Sequence, residues 1–103
     1  MKFLVIRKPR AGAPIQPTSQ MIRAQKEVVL GTVKRGEADC AYAFVGGGGF
    51  SIQNANSAED LNQRIFGSPL GLFYDFEVRP LADYSQFMDT VAQVLEAREK
   101  QNR

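Results

Sequence analysis

The sequence contains no histidine, no tryptophan and a single cysteine, Cys40, in 103 residues. The missing histidine excludes a Ser-His-Asp triad, a Cys-His nucleophile pair, histidine-ligated zinc and a proximal-histidine haem. One cysteine cannot close an internal disulfide, and zinc frameworks need several ligands, so a reducing, cytoplasmic setting is expected. No apolar run approaches the roughly 18–20 residues that span a bilayer, so no membrane partner is expected. The opening stretch MKFLVIRKPR returns to charge too soon for a signal peptide and reads as a first strand. The four glycines Gly46 to Gly49 lack the lysine and Ser/Thr of a phosphate-binding loop, and they join two strands. They read as a hairpin turn.

What is present is ordinary globular composition. Hydrophobic residues make up 44% and charged residues 23%, which argues against disorder and for one folded domain over residues 1–103. The charge is unevenly placed. Residues 1 to 35 carry eight basic side chains against one acid, Glu27, whereas residues 36 to 103 carry five basic against ten acidic. The basic residues form no run and are not interleaved with exposed aromatics, so no nucleic-acid partner is expected. The imbalance reads instead as attraction between the two parts, within a subunit or across an oligomer interface.

Periodicity gives the elements. Residues 2 to 7 form a short apolar strand, and the Pro/Gly-rich stretch KPRAGAPIQP is a loop. A helix starts after Pro17, capped by Thr18 or Ser19, and runs to about Arg35 with a stripe of Ile22, Val29 and Val33 flanked by Met21 and Val28. Residues 38 to 45 alternate, with Ala38, Cys40, Tyr42 and Phe44 on an apolar face and Asp39, Ala41, Ala43 and Val45 opposite. Cys40 is expected to be buried and inert. Phe50 to Asn54 is the return strand. Ser57 with Asp60 marks the start of a second helix carrying Ala58, Leu61 and Ile65, and Gly67-Ser68-Pro69 ends it. Leu72 to Val78 is a further alternating strand. Asp83 with Gln86 caps a last helix with the stripe Tyr84, Phe87, Met88, Val91 and Leu95, whose tail from Glu96 is expected to fray. Burial of that stripe is expected within the subunit or against a neighbour.

Strand, helix, strand, strand, helix, strand and a final helix is the ferredoxin-like βαββαβ pattern of an α+β fold, with an extra C-terminal helix. Two short helices cover one sheet face and leave the other bare, and pairing of two such faces in a dimeric α+β barrel would cover it.

Without histidine, proton transfer near neutral pH falls to carboxylates. Asp75 and Glu77 share one strand face, with α-carbons roughly 6.6–7 Å apart. Such a pair either holds one proton donor and one acceptor, or is solvated or paired with Arg7, Arg23 or Arg79. Closure of the barrel is expected to desolvate the pair and raise one pKa. Glu27 and Asp39 follow as further acid/base candidates. Tyr42 and Tyr74 are candidates to polarise a substrate oxygen, and Phe73 and Phe50 to line the substrate site.

The stretch SAEDLNQRIFGSPLGLFYDFEVRPL, residues 57 to 81, resembles muconolactone delta-isomerase and its relatives. The resemblance rests on a capped helix with Ser57, Glu59 and Leu61, a break ending in Pro69-Leu70, and the strand Phe73-x-Asp75-Phe76-Glu77-Val78. The preceding helix, with Lys26-Glu27 and the Gly36 stop, matches in position, so the likeness covers roughly residues 20 to 81. It implies a dimeric α+β barrel, often assembled into larger rings, and a proton shift on a lactone with no cofactor and no metal. The expected function is a cofactor-independent isomerase acting on a small lactone or an aromatic-derived or secondary metabolite, in a homodimer or higher homo-oligomer. The alternatives are a cofactor-independent monooxygenase on the same fold and a non-catalytic ligand-binding oligomer.

Overall fold

A computed structural model describes residues 1–12 and 16–102. Four antiparallel strands, β1 (Lys2–Pro9), β2 (Ala38–Ala43), β3 (Gly49–Asn54) and β4 (Tyr74–Leu81), form one sheet in the order β2-β3-β1-β4. Helices α1 (Ser19–Lys34) and α2 (Ala58–Phe66) connect them, and α3 (Tyr84–Gln101) follows β4. This is the ferredoxin-like α+β order with an added C-terminal helix.

Side-chain caps set the helix starts. Thr18, rather than Ser19, accepts from the Met21 amide, Ser57 accepts from Asp60, and Asp83 accepts from Gln86. Helix α1 stops where the Gly36 amide donates to the Val33 carbonyl and Glu37 to Thr32, the paired closure of a Schellman turn. The connection after β2 is longer than the alternation implies. Gly46, Gly47 and Gly48 all have positive φ, so Phe44 and Val45 leave the strand and enter the turn.

Register sorts the side chains into two faces. Phe3, Val5 and Arg7 on β1 lie with Gly49, Ser51 and Gln53 on β3 and with Phe76, Val78 and Pro80 on β4, under the helices. The core on that side is small: Phe3, Val5, Ala55, Leu61 and Ile65, with Phe76 packed against them. The opposite face of the sheet is uncovered and carries Leu4, Ile6, Phe50, Ile52, Cys40 and Tyr42.

Four local expectations change. A bulge between Ala38 and Cys40 breaks the simple alternation, so Ala38 and Ala41 face the helices while Cys40 and Tyr42 face outward. Cys40 is therefore only half-buried, on the open face. Leu72 lies in a 3₁₀ turn, Gly71–Phe73, and is 70% exposed, so β4 begins at Tyr74 and continues through Pro80, which an edge strand tolerates. On α1 the half-buried positions are Met21, Gln25, Val29, Gly31, Thr32 and Val33, while Ile22 is exposed. Helix α3 does not fray from Glu96 but runs to Gln101, through a segment of good helix formers in which Glu96 stands four residues before Lys100.

Candidate functional site

The site builds from the helix-facing side of the sheet. Val5 and Arg7 of β1, Ser51 and Gln53 of β3, and Tyr74 and Phe76 of β4 form its floor. Gln25, Val28, Val29 and Thr32 of α1 form the roof, and Arg64, Ile65, Ser68 and Leu70 close one side. The cavity volume is about 60 Å³. That is room for a few waters. Helix α1 has no fully buried residue and rests chiefly along β2.

Most polar groups in the cavity are held by neighbours. Arg64 Nη1 donates to the Glu37 carbonyl at 3.2 Å, the Asn54 carbonyl at 3.0 Å and Gln53 Oε1 at 3.2 Å. Gln53 Nε2 donates in turn to Ser51 Oγ at 3.0 Å, and Ser51 is buried. Gln25 Oε1 accepts from the Leu70 amide across the cavity at 3.2 Å, tying α1 to the segment after α2. Thr32 and Ser68 donate to carbonyls three residues back in the chain. Phe76 packs edge-on against Phe66 and lies 6.3 Å from the Tyr74 ring. The described lining holds two guanidinium groups and no carboxylate.

The residues singled out from the sequence divide between two faces. Tyr74 lines the cavity. Together with Phe73 it also borders a second hollow beside Pro9, Arg10 and Pro17. Tyr42 and Phe50 lie on the open sheet face, their rings 5.7 Å apart. Asp75 and Glu77 share that open face, as their spacing requires, but are not brought into the cavity. Asp75 accepts from Arg10 at 3.2 Å and Glu77 from Arg79 at 2.7 Å. The hydrogen bond from Arg79, with its charge, holds the Glu77 carboxyl below its ordinary range, the reverse of the expected rise. Asp39 sits at the bulge with Lys2 at 2.6 Å and Asn54 at 2.8 Å, and their hydrogen bonds lower its pKa too. Glu27 is exposed on α1.

Arg7 and Arg64 are the cavity residues that sequence reasoning missed. Their signals were present. Phe3-x-Val5-x-Arg7 continues one strand face at period two, and Arg64 lies three residues after Leu61 on the inward side of α2. Among the described residues, no group of three or more His, Cys, Asp or Glu side chains is placed to hold a metal ion. Among them, too, no helix is long and apolar enough to cross a membrane.

No family model and no curated protein matches the chain. Solved structures do. The chain is similar to muconolactone isomerase, with a TM-score of 0.71 and 22% identity over 82% of this chain and 91% of that one. It is also similar to 5-chloro-2-hydroxyhydroquinone dehydrochlorinase from Burkholderia phenoliruptrix AC1100, solved in complex with 2,5-dihydroxybenzoquinone. There the TM-score is 0.59, with 18% identity over 84% of this chain and 98% of that one. The chain has the fold of muconolactone isomerase.

Proposed function

We propose that this chain is a cofactor-independent enzyme that moves a proton on a small lactone or aromatic-derived molecule, shifting a double bond or closing a ring. The observation that carries the reading is the cavity between helices and sheet, in a fold that two enzymes of small ring compounds share. Its chemistry suits an oxyanion. When a proton leaves the carbon beside a carbonyl, the electron pair moves onto the carbonyl oxygen, and the proton returns at a carbon further along. Fixed donors aimed at that oxygen lower the barrier. Tyr74 and Arg7 are the donors assigned to that oxygen in this reading, and Arg64, bonded to protein oxygens, adds positive potential.

A carboxylate is the base in this reading. Asp75 and Glu77 come first, then Glu27 and Asp39. None of the four lines the cavity of one subunit, so in this reading the carboxylate comes from a partner subunit. A homo-oligomer fits the uncovered sheet face, where Tyr42 and Phe50 would meet a second sheet. The same lack of a carboxylate favours a second reading, a non-catalytic ligand-binding oligomer.

The test is an NMR time course on small lactones and hydroxylated aromatics, with oxygen uptake followed in parallel. An isomeric product without oxygen uptake is the expected result. Oxygen uptake would move the reading to a monooxygenase, and saturable binding with unchanged ligand to a binding protein. In the expected case Tyr74→Phe lowers turnover by about 10²-fold, the scale for loss of one oxyanion donor.

A further inference from the structure

We propose that the cavity selects its ligand by negative charge, with Arg7 as the group that reads a planar oxyanion. The inference deepens the reading of this cavity as a ligand site and rests on it. Two guanidinium groups line one small, largely apolar hollow whose described lining holds no acid. A half-buried cation without a counter-charge is an unfavourable arrangement that a bound anion relieves.

The two arginines are not equivalent. Arg64 is committed through Nη1 to three oxygens of the protein, and Glu37, which feels the Arg64 charge from outside the cavity, is bonded to Arg35. Arg64 therefore supplies fixed positive potential. Arg7 makes no salt bridge or side-chain hydrogen bond with the described residues, although it is only half exposed. On the sheet it stands between Gly49 on one neighbouring strand and Phe76 on the other.

Gly49 explains how the guanidinium can lie there. Its φ is not positive, so no left-handed turn demands a glycine. A β-carbon at this position would collide with the Tyr42 carbonyl and come within 2.5 Å of Arg7 Nη2 and 2.8 Å of Arg7 Cζ. The missing side chain leaves the guanidinium lying on bare backbone. The fork of an arginine matches two oxygens of one planar anion, which a neutral amide offers only in part. Val5, Val29 and Phe76 supply apolar walls for the rest of the ligand. The fitting class is a small flat organic anion, either a carboxylate or an enolate whose charge is shared by two oxygens.

Calorimetric titration of the intact protein tests this, with benzoate, its neutral counterpart benzamide, and 2,5-dihydroxybenzoquinone as an enolate-type anion. Benzoate is expected to bind at least about ten-fold more tightly than benzamide, the scale of a charge-assisted hydrogen bond. Arg7→Met is expected to bring benzoate to the level of benzamide, weakening benzamide far less than benzoate, with no fall in melting temperature. Arg7→Lys should restore part of the preference. Tighter binding of the quinone than of benzoate would assign the enolate as the anion; the reverse would assign the carboxylate. Equal affinity for benzoate and benzamide in the native protein overturns the charge selection but leaves the ligand site standing. An Arg7→Met variant that keeps the preference overturns the role of Arg7. Binding of none of the three compounds overturns the ligand site and this inference together.

Discussion

At the scale of the residue, the described acids of the sheet are tied to basic partners at its surface. Hydrogen bonds from Arg79, Lys2 and Arg35 respectively lower the pKa values of Glu77, Asp39 and Glu37. A carboxylate with a depressed folded-state pKa stabilises the fold above its unfolded value, and that contribution disappears as pH falls through the lower one. Stability is therefore expected to be flat near neutrality and to decline below about pH 4. Carboxyl carbon shifts followed by NMR should give midpoints below the usual Asp and Glu values for these three groups. Added salt should move them back, since all three pairs are exposed. Arg64 behaves differently, because it satisfies two backbone carbonyls and Gln53 at the edge of the cavity. Arg64→Met should cost about 1–3 kcal/mol in urea unfolding, the range for leaving an acceptor such as the Asn54 carbonyl without its donor, while the Glu37 carbonyl keeps the Asn54 amide. Alternation alone placed Asp75 and Glu77 on one face. It could not show that the cavity lies on the other face of β4, with Tyr74 and Phe76, rather than on the charged face that a search for carboxylates singles out. A lone arginine on a strand reads as surface until its neighbours in the sheet are known, which is why Arg7 was passed over.

At the scale of the element, α3 stands apart. Its stripe was the clearest apolar pattern in the sequence, yet none of its residues is buried and Phe87 is 55% exposed. Its stripe and its Asp83 cap are local signals, and both were legible. What covers the stripe is not a local property. We expect a neighbouring subunit to cover it. Phe87→Ala should then weaken assembly, at a cost of about 3–5 kcal/mol if the ring is fully buried there. Light scattering should show a smaller species, with helix content by circular dichroism nearly unchanged. A native protein that is monomeric at micromolar concentration would contradict this. Strand β2 shows the other kind of miss. A single extra residue, Asp39, between Ala38 and Cys40 puts Cys40 opposite Ile52 on the open face and leaves Asp39 bonded to Lys2 and Asn54, and nothing in ADCAYA announces a bulge.

At the scale of the whole molecule, the described chain measures 66 × 31 × 26 Å with a radius of gyration of 18.4 Å. A compact chain of about 100 residues would have a radius near 13 Å. The excess fits the projecting α3, which makes few contacts with the sheet. The order of elements, and hence the fold, could be read from hydrophobic period, caps and turns, because each is a short-range property of the chain. The cavity could not, since it joins residues of β1, β3, β4, α1 and α2 that only the sheet order β2-β3-β1-β4 brings together. The central claim concerns that cavity: it holds a small ring compound while a proton moves between two of its carbons. The most direct measurement is deuterium incorporation, followed by NMR, when the protein is incubated with muconolactone in D₂O with no cofactor added. The account predicts deuterium at a ring carbon with the native protein and strongly slowed incorporation with Tyr74→Phe. No incorporation above the protein-free rate, although the lactone binds, would contradict it.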